Sequence, residues 1–405
     1  VEFIDKNNPT MEELIFWFQV NFKELADAMK DSDHAVKTTE PNPYHLEGSV
    51  WAHTMMVCQE ARNDNKIVKL SALLHDVGKP AARGVIPAGE KKPSFNGEER
   101  NGPNIETSAK EKVHFRGHDG VSFWKAIDPL SELVAMNVID ECEMNQILKI
   151  ISLHSVLFNR IKDGKEFKPE EIVKMFPQYE HYKNFVKQSR NDSLGRFYKK
   201  GAGSRGDTGP ELGSTLYGEE TFKKYFKAEF ITGRNSTENP YIEILVGLPC
   251  SGKTTYINNK KGEFKVISRD DMLMRYAKKY KIEGSYSEIW SQLDDNDQKV
   301  IDTYVRDEFR KAVQNRENIV IDMTNMSKKS RGKWINNLPK EYFKVSKIFI
   351  VGESSLDFRN NQRLLQEGKF IPEKVFMNMM KTFLVPTLNE FDAIEYINSY
   401  KGENK

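Results

Sequence analysis

Ile242-Glu243-Ile244-Leu245-Val246-Gly247-Leu248-Pro249-Cys250-Ser251-Gly252-Lys253-Thr254 joins a short apolar run to a loop framed by glycines and closed by Lys-Thr. The run reads as a β-strand, and the loop matches G-x-x-x-x-G-K-[ST] in full, between a predicted strand and a predicted helix. Glycines there let backbone N–H groups turn inward around phosphate oxygens, and the start of the next helix adds a favourable dipole. Gly247, Ser251, Gly252, Lys253, Thr254 and Thr255 are therefore candidate nucleotide-binding residues. Lys253 is placed to neutralise β/γ phosphates and Thr254 to ligate Mg²⁺, so the expected cofactors are ATP or another NTP, with Mg²⁺. Working outward, apolar runs at 265–267, 318–322 and 344–351 alternate with helical patterns. That alternation predicts an α/β domain with a parallel sheet and crossover helices.

Carboxylates follow two of these strands. Asp270 stands in Ser268-Arg269-Asp270-Asp271 just past the second, where residues of an open parallel sheet face the ligand crevice. An acceptor hydroxyl would hand its proton to Asp270. An Asp-Asp pair opening a helix also suits capping, and Asp271 is assigned to the cap or the substrate. Asp322 ends the third strand and is a candidate to hold Mg²⁺ or position the acceptor. Arg359 and Arg363 stand at i and i+4, on one helix face, and two guanidinium groups aimed at a γ-phosphoryl group stabilise its transition-state charge. Gly368 and Pro372 just beyond suggest a lid.

The amino-terminal half has a different texture. Leu14, Phe18, Phe22 and Leu25, then Ile67, Leu70, Leu73 and Leu74, fall at helical spacing. Helices are predicted over 50–63 and 69–77, with another closing near 154. Among them lie His53, the dyad His75-Asp76, His118, His154 and Asp192. Imidazoles mixed with carboxylates suit Mn²⁺, Co²⁺, Fe or Zn²⁺ at catalytic positions, and such ions hold and polarise a phosphate. One or two ions are expected, with Asp76 bridging if there are two. Lys79, and Arg196 at i+4 from Asp192 on the same helix face, would supply positive charge for phosphate oxygens. His45 either touches substrate or ends a loop, and His114 is set apart from His118 by Gly117. A polar stretch at 84–104 reads as a flap beside this site or as a surface insertion.

A Gly-rich run at 199–210, a short helix at 219–230 and a second breaker at 233–240 separate the halves. The expected organisation is an all-α domain over 1–200, a linker over 201–240 and the α/β domain over 241–405. No apolar run reaches membrane-spanning length, so no membrane association is expected. The start of the chain carries no secretory pattern, and Cys58, Cys142 and Cys250 are scattered and odd in number, which fits a reducing cytoplasm. Lys-rich patches, such as Ser327-Lys328-Lys329-Ser330-Arg331-Gly332-Lys333, read as solvated helix faces.

The glycine loop, Arg269-Asp270-Asp271, Asp322-Met323-Thr324-Asn325, the Arg359/Arg363 pair, Ile371-Pro372 and Met379-Met380-Lys381 together resemble the kinase domain of polynucleotide 5′-hydroxyl kinases, over most of 241–388. That resemblance implies that Asp270 is the general base. Leu273 stands where the family often has an arginine, with Arg275 two positions later. The series His53, His75-Asp76, His118, His154, Asp192 resembles the HD phosphohydrolase superfamily over about 45–200. Leu74-His75-Asp76-Val77-Gly78-Lys79 is its most specific stretch, supported by Gly117-His118-Asp119 and Asn191-Asp192-Ser193-Leu194-Gly195. The fusion resembles HD-type bifunctional polynucleotide kinase-phosphatases. It implies NTP-dependent phosphorylation of 5′-OH ends of RNA or DNA, and removal of 2′,3′-cyclic, 2′- or 3′-phosphate. The product ends would suit a separate RNA ligase. A nucleoside kinase fused to a nucleotidase, a toxin-type kinase acting on a sugar nucleotide, and a non-enzymatic RNA-binding module remain alternatives. Oligomeric state is not legible.

Overall fold

The computed structural model describes residues 4–36, 41–89, 110–156, 169–199 and 239–399. The chain divides into two compact units, Val1–Phe230 and Ile231–Lys405. The predicted linker run, most of residues 201–240 and the helix expected at 219–230 lie outside the described residues. So do residues 90–104 of the expected flap.

The first unit is mostly helical. Its centre is the helix Lys66–Leu74, in which every residue from Val68 to Leu74 is buried. A helix apolar on all sides needs neighbours all round. Here Val50–Ala61, Glu141–Leu153 and Tyr179–Leu194 pack against it, and Met11–Asn21 touches it as well. Local signals set the boundaries. Thr10 and Asp140 form capping boxes with Glu13 and Glu143, and Ser49 and Asn65 cap the next two helices. Trp17 Nε1 donates to Glu132 Oε1 at 3.1 Å, tying the first helix to Ile127–Ala135.

Several boundaries differ from expectation. The unit is not purely α, because β1 (Gly84–Ile86) pairs antiparallel with β2 (Lys112–His114) at the base of the 84–104 stretch. The helix expected to run to residue 77 ends at Leu74, with His75 as its cap. The last helix ends at Leu194, so Arg196 is not on its face. Gly195 is its C-cap, and a Cβ there would lie 2.6 Å from the Val57 backbone, so only glycine fits where the chain meets Val50–Ala61.

The second unit holds one five-stranded sheet in the order β4-β5-β3-β6-β7, all pairs parallel. The strands are β3 (Tyr241–Val246), β4 (Lys265–Ser268), β5 (Ile319–Asp322), β6 (Phe343–Ile350) and β7 (Ala393–Asn398). β7 was not expected. It is an edge strand, and its residues are only partly buried or exposed, so its apolar signal is weak. Buried runs in β3, β5 and β6 fit a parallel sheet covered on both faces. Ser268 pairs with Asp322, so β4 and β5 release their chains side by side.

Arg331 corrects the reading of its lysine-rich patch as a solvated face, since it is fully buried. Its Nη1 donates to the carbonyls of Asn325, Met326 and Leu384, and Nε and Nη2 form a fork on Glu390. The guanidinium thereby pins the loop that follows β5. Among the described residues, no helix is long and apolar enough to cross a membrane.

Two stability outcomes are expected. Arg331→Met leaves the Glu390 carboxylate buried without its partner and should cost about 3–5 kcal/mol in urea melts, with Arg331→Met/Glu390→Leu recovering much of it. Gly78→Ala would place a Cβ 2.3 Å from the Ser122 backbone nitrogen. The forced shift should cost about 1–3 kcal/mol. A loss under about 0.5 kcal/mol in either single variant would contradict these packing accounts.

Candidate functional site

In the first unit, helix ends converge on the carboxylate of Asp76, which is fully buried, as is His75. His53 projects from Val50–Ala61, and His75-Asp76 follow Lys66–Leu74. His118 opens His118–Lys125, His154 follows Glu141–Leu153, and Asp192 lies in Tyr179–Leu194. Close approach of the dyad turn to His118–Lys125 requires Gly78, whose N–H donates to Ser122 Oγ at 2.9 Å.

The two oxygens of Asp76 face different partners. Oδ2 lies 3.6 Å from His53 Nε2 and 3.1 Å from His75 Nε2. Oδ1 lies 3.5 Å from His118 Nε2 and 3.7 Å from His154 Nε2. Asp192 Oδ1 completes the first side, 3.1 Å from His53 Nε2 and 3.9 Å from His75 Nε2. Ligand atoms of His53, His75 and Asp192, and those of Asp76, His118 and His154, form two groups, each within 4.8 Å.

Backbone carbonyls decide the tautomers. Nδ1 of His75, His118 and His154 donates to the carbonyls of Ala72, Phe115 and Ile151 at 2.8, 2.8 and 2.6 Å. Each Nε2 then turns a lone pair toward Asp76, as metal-ligating imidazoles do. His118 Nε2 and His154 Nε2 stand only 3.2 Å apart, and two lone pairs at that distance need a proton or cation between them. His75 Nε2 is buried without a hydrogen bond, although carboxylate oxygens are close. This donor set fits divalent transition ions.

Charges balance at the same point. Burial works to raise the Asp76 pKa, but the positive charge of His75, when protonated, and of Lys79 holds the carboxyl well below the usual range. Asp192 is likewise lowered, burial being outweighed by the hydrogen bond from His53. Burial opposes protonation of His53, yet Asp192 and Glu47 raise its pKa to about 9. A cation there competes with that proton. Lys79 Nζ lies 2.6 Å from Asp76 Oδ2 and 3.2 Å from His34 Nε2. Arg196 is half-buried just past the last helix.

Sequence reasoning missed Glu47, His34 and Asp119. Glu47 Oε1 lies 3.1 Å from His53 Nδ1 and 2.8 Å from His45 Nδ1. His45 stacks on His34 with centroids 4.1 Å apart. Asp119 Oδ1 approaches His154 Nδ1 at 3.2 Å. Asp119 was quoted only as part of a motif, and neither Glu47 nor His34 stands in a spacing that marks it out.

The second unit builds its site at the carboxyl ends of the strands. Between β3 and the helix Lys253–Asn259, Cys250 and Gly252 take left-handed conformations, at φ 63° and 92°. Lys253 Nζ is buried and donates to the carbonyls of Leu248 and Gly247 at 2.6 and 3.1 Å, and to Ser251 Oγ at 3.3 Å. Burial lowers its pKa to about 8. Gly247 closes the loop's other side. A Cβ there would lie 2.8 Å from Ser251 Oγ. Thr254 and Thr255 are exposed beside the loop.

Asp322 is half-buried at the end of β5. Burial raises its pKa, Lys253 opposes the rise, and the charges of Asp270 and Asp271 add to it. Asp270 lies in the first turn of Arg269–Tyr280, but the residue capping that helix is Ser268, whose Oγ accepts from Asp271 N. Tyr286 donates to Asp270 Oδ1 at 2.7 Å, and Lys369 Nζ donates to Oδ2. Desolvation would raise the Asp270 pKa, but Lys369 and then Tyr286 outweigh it and lower it. Leu273, at the family's arginine position, is fully buried in an apolar cluster.

Arg359 and Arg363 reach the loop from the helix Glu353–Glu367. Arg359 Nη1 donates to the Cys250 carbonyl at 3.1 Å, and Nη2 donates to the Ser399 carbonyl. Arg363 Nη1 lies 3.9 Å from Cys250 Sγ, while Nε binds Glu367. That helix ends at Gly368, at φ 62°, and Pro372 caps the next, Glu373–Thr382. Lys253, Asp322, Asp270, Arg359 and Arg363 thus form one neighbourhood.

A family model described as an AAA domain, AAA_33, matches residues 242–386. It takes in the glycine loop, Asp270, Asp322 and both arginines. No curated protein matches the chain. A solved Pnkp1/Rnl/Hen1 RNA repair complex is similar at 24% identity and a TM-score of 0.31, covering 37% of this chain and 45% of that one. A second structure of that complex shares 24% identity at a TM-score of 0.25, covering 31% and 40%. A putative kinase from Chloroflexus aurantiacus J-10-fl shares 14% identity at a TM-score of 0.32, covering 42% of this chain and 91% of that one. The chain therefore spans less than half the length of the repair-complex chains it matches. The carboxy-terminal unit is a P-loop domain with a parallel five-stranded sheet, and the amino-terminal unit is mostly helical.

Proposed function

We propose that this chain is a nucleic-acid end-healing enzyme with a kinase domain at 241–405 and a metal-dependent phosphohydrolase domain at 1–200. The observation that carries the reading is that each unit gathers its phosphate-handling residues around one buried charge, Lys253 in one and Asp76 in the other.

In the kinase reaction the oxygen of a 5′-hydroxyl attacks the γ-phosphorus of ATP or another NTP, and the bond from that phosphorus to the bridging oxygen breaks. The acceptor proton passes to Asp270, and the electron pair leaves with the nucleoside diphosphate. Lys253, Arg359 and Arg363 meet the charge on the phosphoryl oxygens. Thr254 and Asp322 would hold Mg²⁺, which neutralises the β/γ phosphates when bound.

In the hydrolytic reaction water adds to the phosphorus of a 2′- or 3′-phosphate, the bond to the ribose oxygen breaks, and a proton of the water passes to that oxygen, leaving a hydroxyl and inorganic phosphate. A 2′,3′-cyclic phosphate is first opened by one water to such a monoester and then takes a second. His53, His75, Asp76, His118, His154 and Asp192 would hold one or two divalent ions, which supply Lewis acidity when bound. Lys79 and Arg196 neutralise the phosphate oxygens. Ends treated this way carry 5′-phosphate and 3′-hydroxyl, which a separate ligase consumes.

The test supplies 5′-hydroxyl and 2′,3′-cyclic-phosphate oligonucleotides of RNA and DNA, with ATP and a panel of divalent ions, and reads both termini. Lys253→Ala or Asp270→Ala should lower phosphorylation by about 10²-fold or more while phosphate removal persists. Asp76→Ala should do the reverse and strip bound transition metal, measured by elemental analysis. Loss of both reactions from either lesion in a folded protein would refute independent sites. Turnover of free nucleosides and nucleotides alone would assign the chain to small-molecule metabolism instead.

A pH dependence follows from the Lys369 contact. Lys369 now holds the Asp270 pKa down, so the base stays ionised into acid. Lys369→Met should move the acid limb of kcat/KM for phosphorylation to higher pH. An unmoved limb would mean that Lys369 does not set the base.

A further inference from the structure

Beside Asp270 the second unit presents an exposed aromatic face that neither chemical step uses. The short helix Tyr286–Gln292 buries Ile289 in the cluster with Leu273, Tyr276, Ala277 and Ile301. Tyr286, half-buried, packs against the same cluster, and Trp290 at i+4 from it projects outward. Trp290 is 44% exposed, an unusual place for the largest apolar side chain when the helix is already anchored. The two rings lie nearly parallel, with centroids 6.3 Å apart and an interplanar angle of 23°. Cations flank both. Arg269 Cζ sits 4.9 Å from the Trp290 centroid, and Lys369 Nζ sits 3.5 Å from the Tyr286 centroid.

The placement distinguishes donor from acceptor. Arg359 and Arg363 approach the glycine loop at Cys250. The aromatic face instead joins the base, through the hydrogen bond from Tyr286 to Asp270. A group resting on these rings would lie on the acceptor side. Ser287 Oγ donates to the Gly368 carbonyl at 3.0 Å, which ties this helix to the segment carrying Lys369.

We propose that Trp290, held beside Tyr286 and with Arg269 and Lys369 close by, is the platform that stacks the 5′-terminal nucleobase of a single-stranded acceptor. The subsite rests on the kinase reading above and narrows its substrate to an unpaired nucleic-acid end. Every base has a π-face, so stacking holds it without reading sequence, and cations beside the rings meet the backbone phosphates.

The experiment measures binding of a short fluorescent oligonucleotide with a 5′-hydroxyl end to the full chain by anisotropy, alongside KM values for oligonucleotide and ATP. Trp290→Ala should weaken oligonucleotide binding and raise its KM by about tenfold, as loss of one base–aromatic stack does. The KM for ATP should stay put. Trp290→Phe, which keeps a ring, should retain most of the affinity. An oligonucleotide abasic at its 5′ terminus should bind the unmodified chain about as weakly, with no further loss in Trp290→Ala. Affinity within twofold of the unmodified chain in Trp290→Ala overturns the proposal. So does an equal loss for intact and abasic ends, which would make the ring a structural prop. If no oligonucleotide is phosphorylated but the base-dependent loss appears, the kinase reading falls and the stacking site stands. If phosphorylation proceeds and the loss is absent, the reverse holds.

Discussion

Burying an ionised side chain is the constraint around which both units are arranged. An isolated carboxylate or ammonium taken out of water is costly unless it is paired and hydrogen-bonded. Asp76 has no solvent contact, so its oxygens must be met from every side. Lys79 meets one of them, while the surrounding imidazoles, aimed by backbone carbonyls, turn lone pairs to the same point, an arrangement that calls for a cation. Lys253 poses the converse problem, and the carbonyls of Gly247 and Leu248 answer it. Each arrangement is a ring of groups around one charge. Such a ring has the chemistry of a phosphate site because it concentrates charge where water is scarce.

The elements serve that placement. In the helical unit the candidate ligands sit at or just beyond helix ends, at His75, His118 and His154, or within a turn of one, at His53 and Asp192. Carbonyls in the last turns of two helices, Ala72 and Ile151, hold Nδ1 of His75 and His154, and the loop carbonyl of Phe115 holds that of His118, so these imidazoles share one tautomer. In the sheet unit, parallel strands deliver their carboxyl ends to one edge. The pairing of Ser268 with Asp322 sets the two acidic loops side by side. Arg331 then fixes the second of these loops through three backbone carbonyls and an ion pair with Glu390. Arg359 is steadied from an unforeseen direction, since the Ser399 carbonyl lies immediately past the edge strand β7.

Much of this was legible in the chain. The glycine loop, the strands before and after it, and the acidic residues at their ends follow from spacing and periodicity, and the structure brings Lys253, Asp270, Asp322, Arg359 and Arg363 together. The spaced histidines converge as well, with Asp76 between two groups of ligand atoms. Arg196 does not share a helix face with Asp192, because the helix closes at Leu194 with Gly195 as its cap and helical spacing does not carry past it. Arg331 was misread because a charge in a lysine-rich run looks solvated until its partner Glu390, far away in sequence, is seen. β7 escaped because an edge strand with little burial has little apolar signal.

Local chemistry by itself determined the phosphate loop, the order of helices and strands, and which residue types could ligate or transfer. Those properties depend on neighbours a few positions apart, and a sequence displays such neighbours directly. Only tertiary packing decided that Glu47 would reach His53, that Lys369 and Tyr286 would hold Asp270, and that Trp290 would stay exposed nearby. Those contacts join distant segments whose approach depends on how the core packs, and no local pattern encodes that distance.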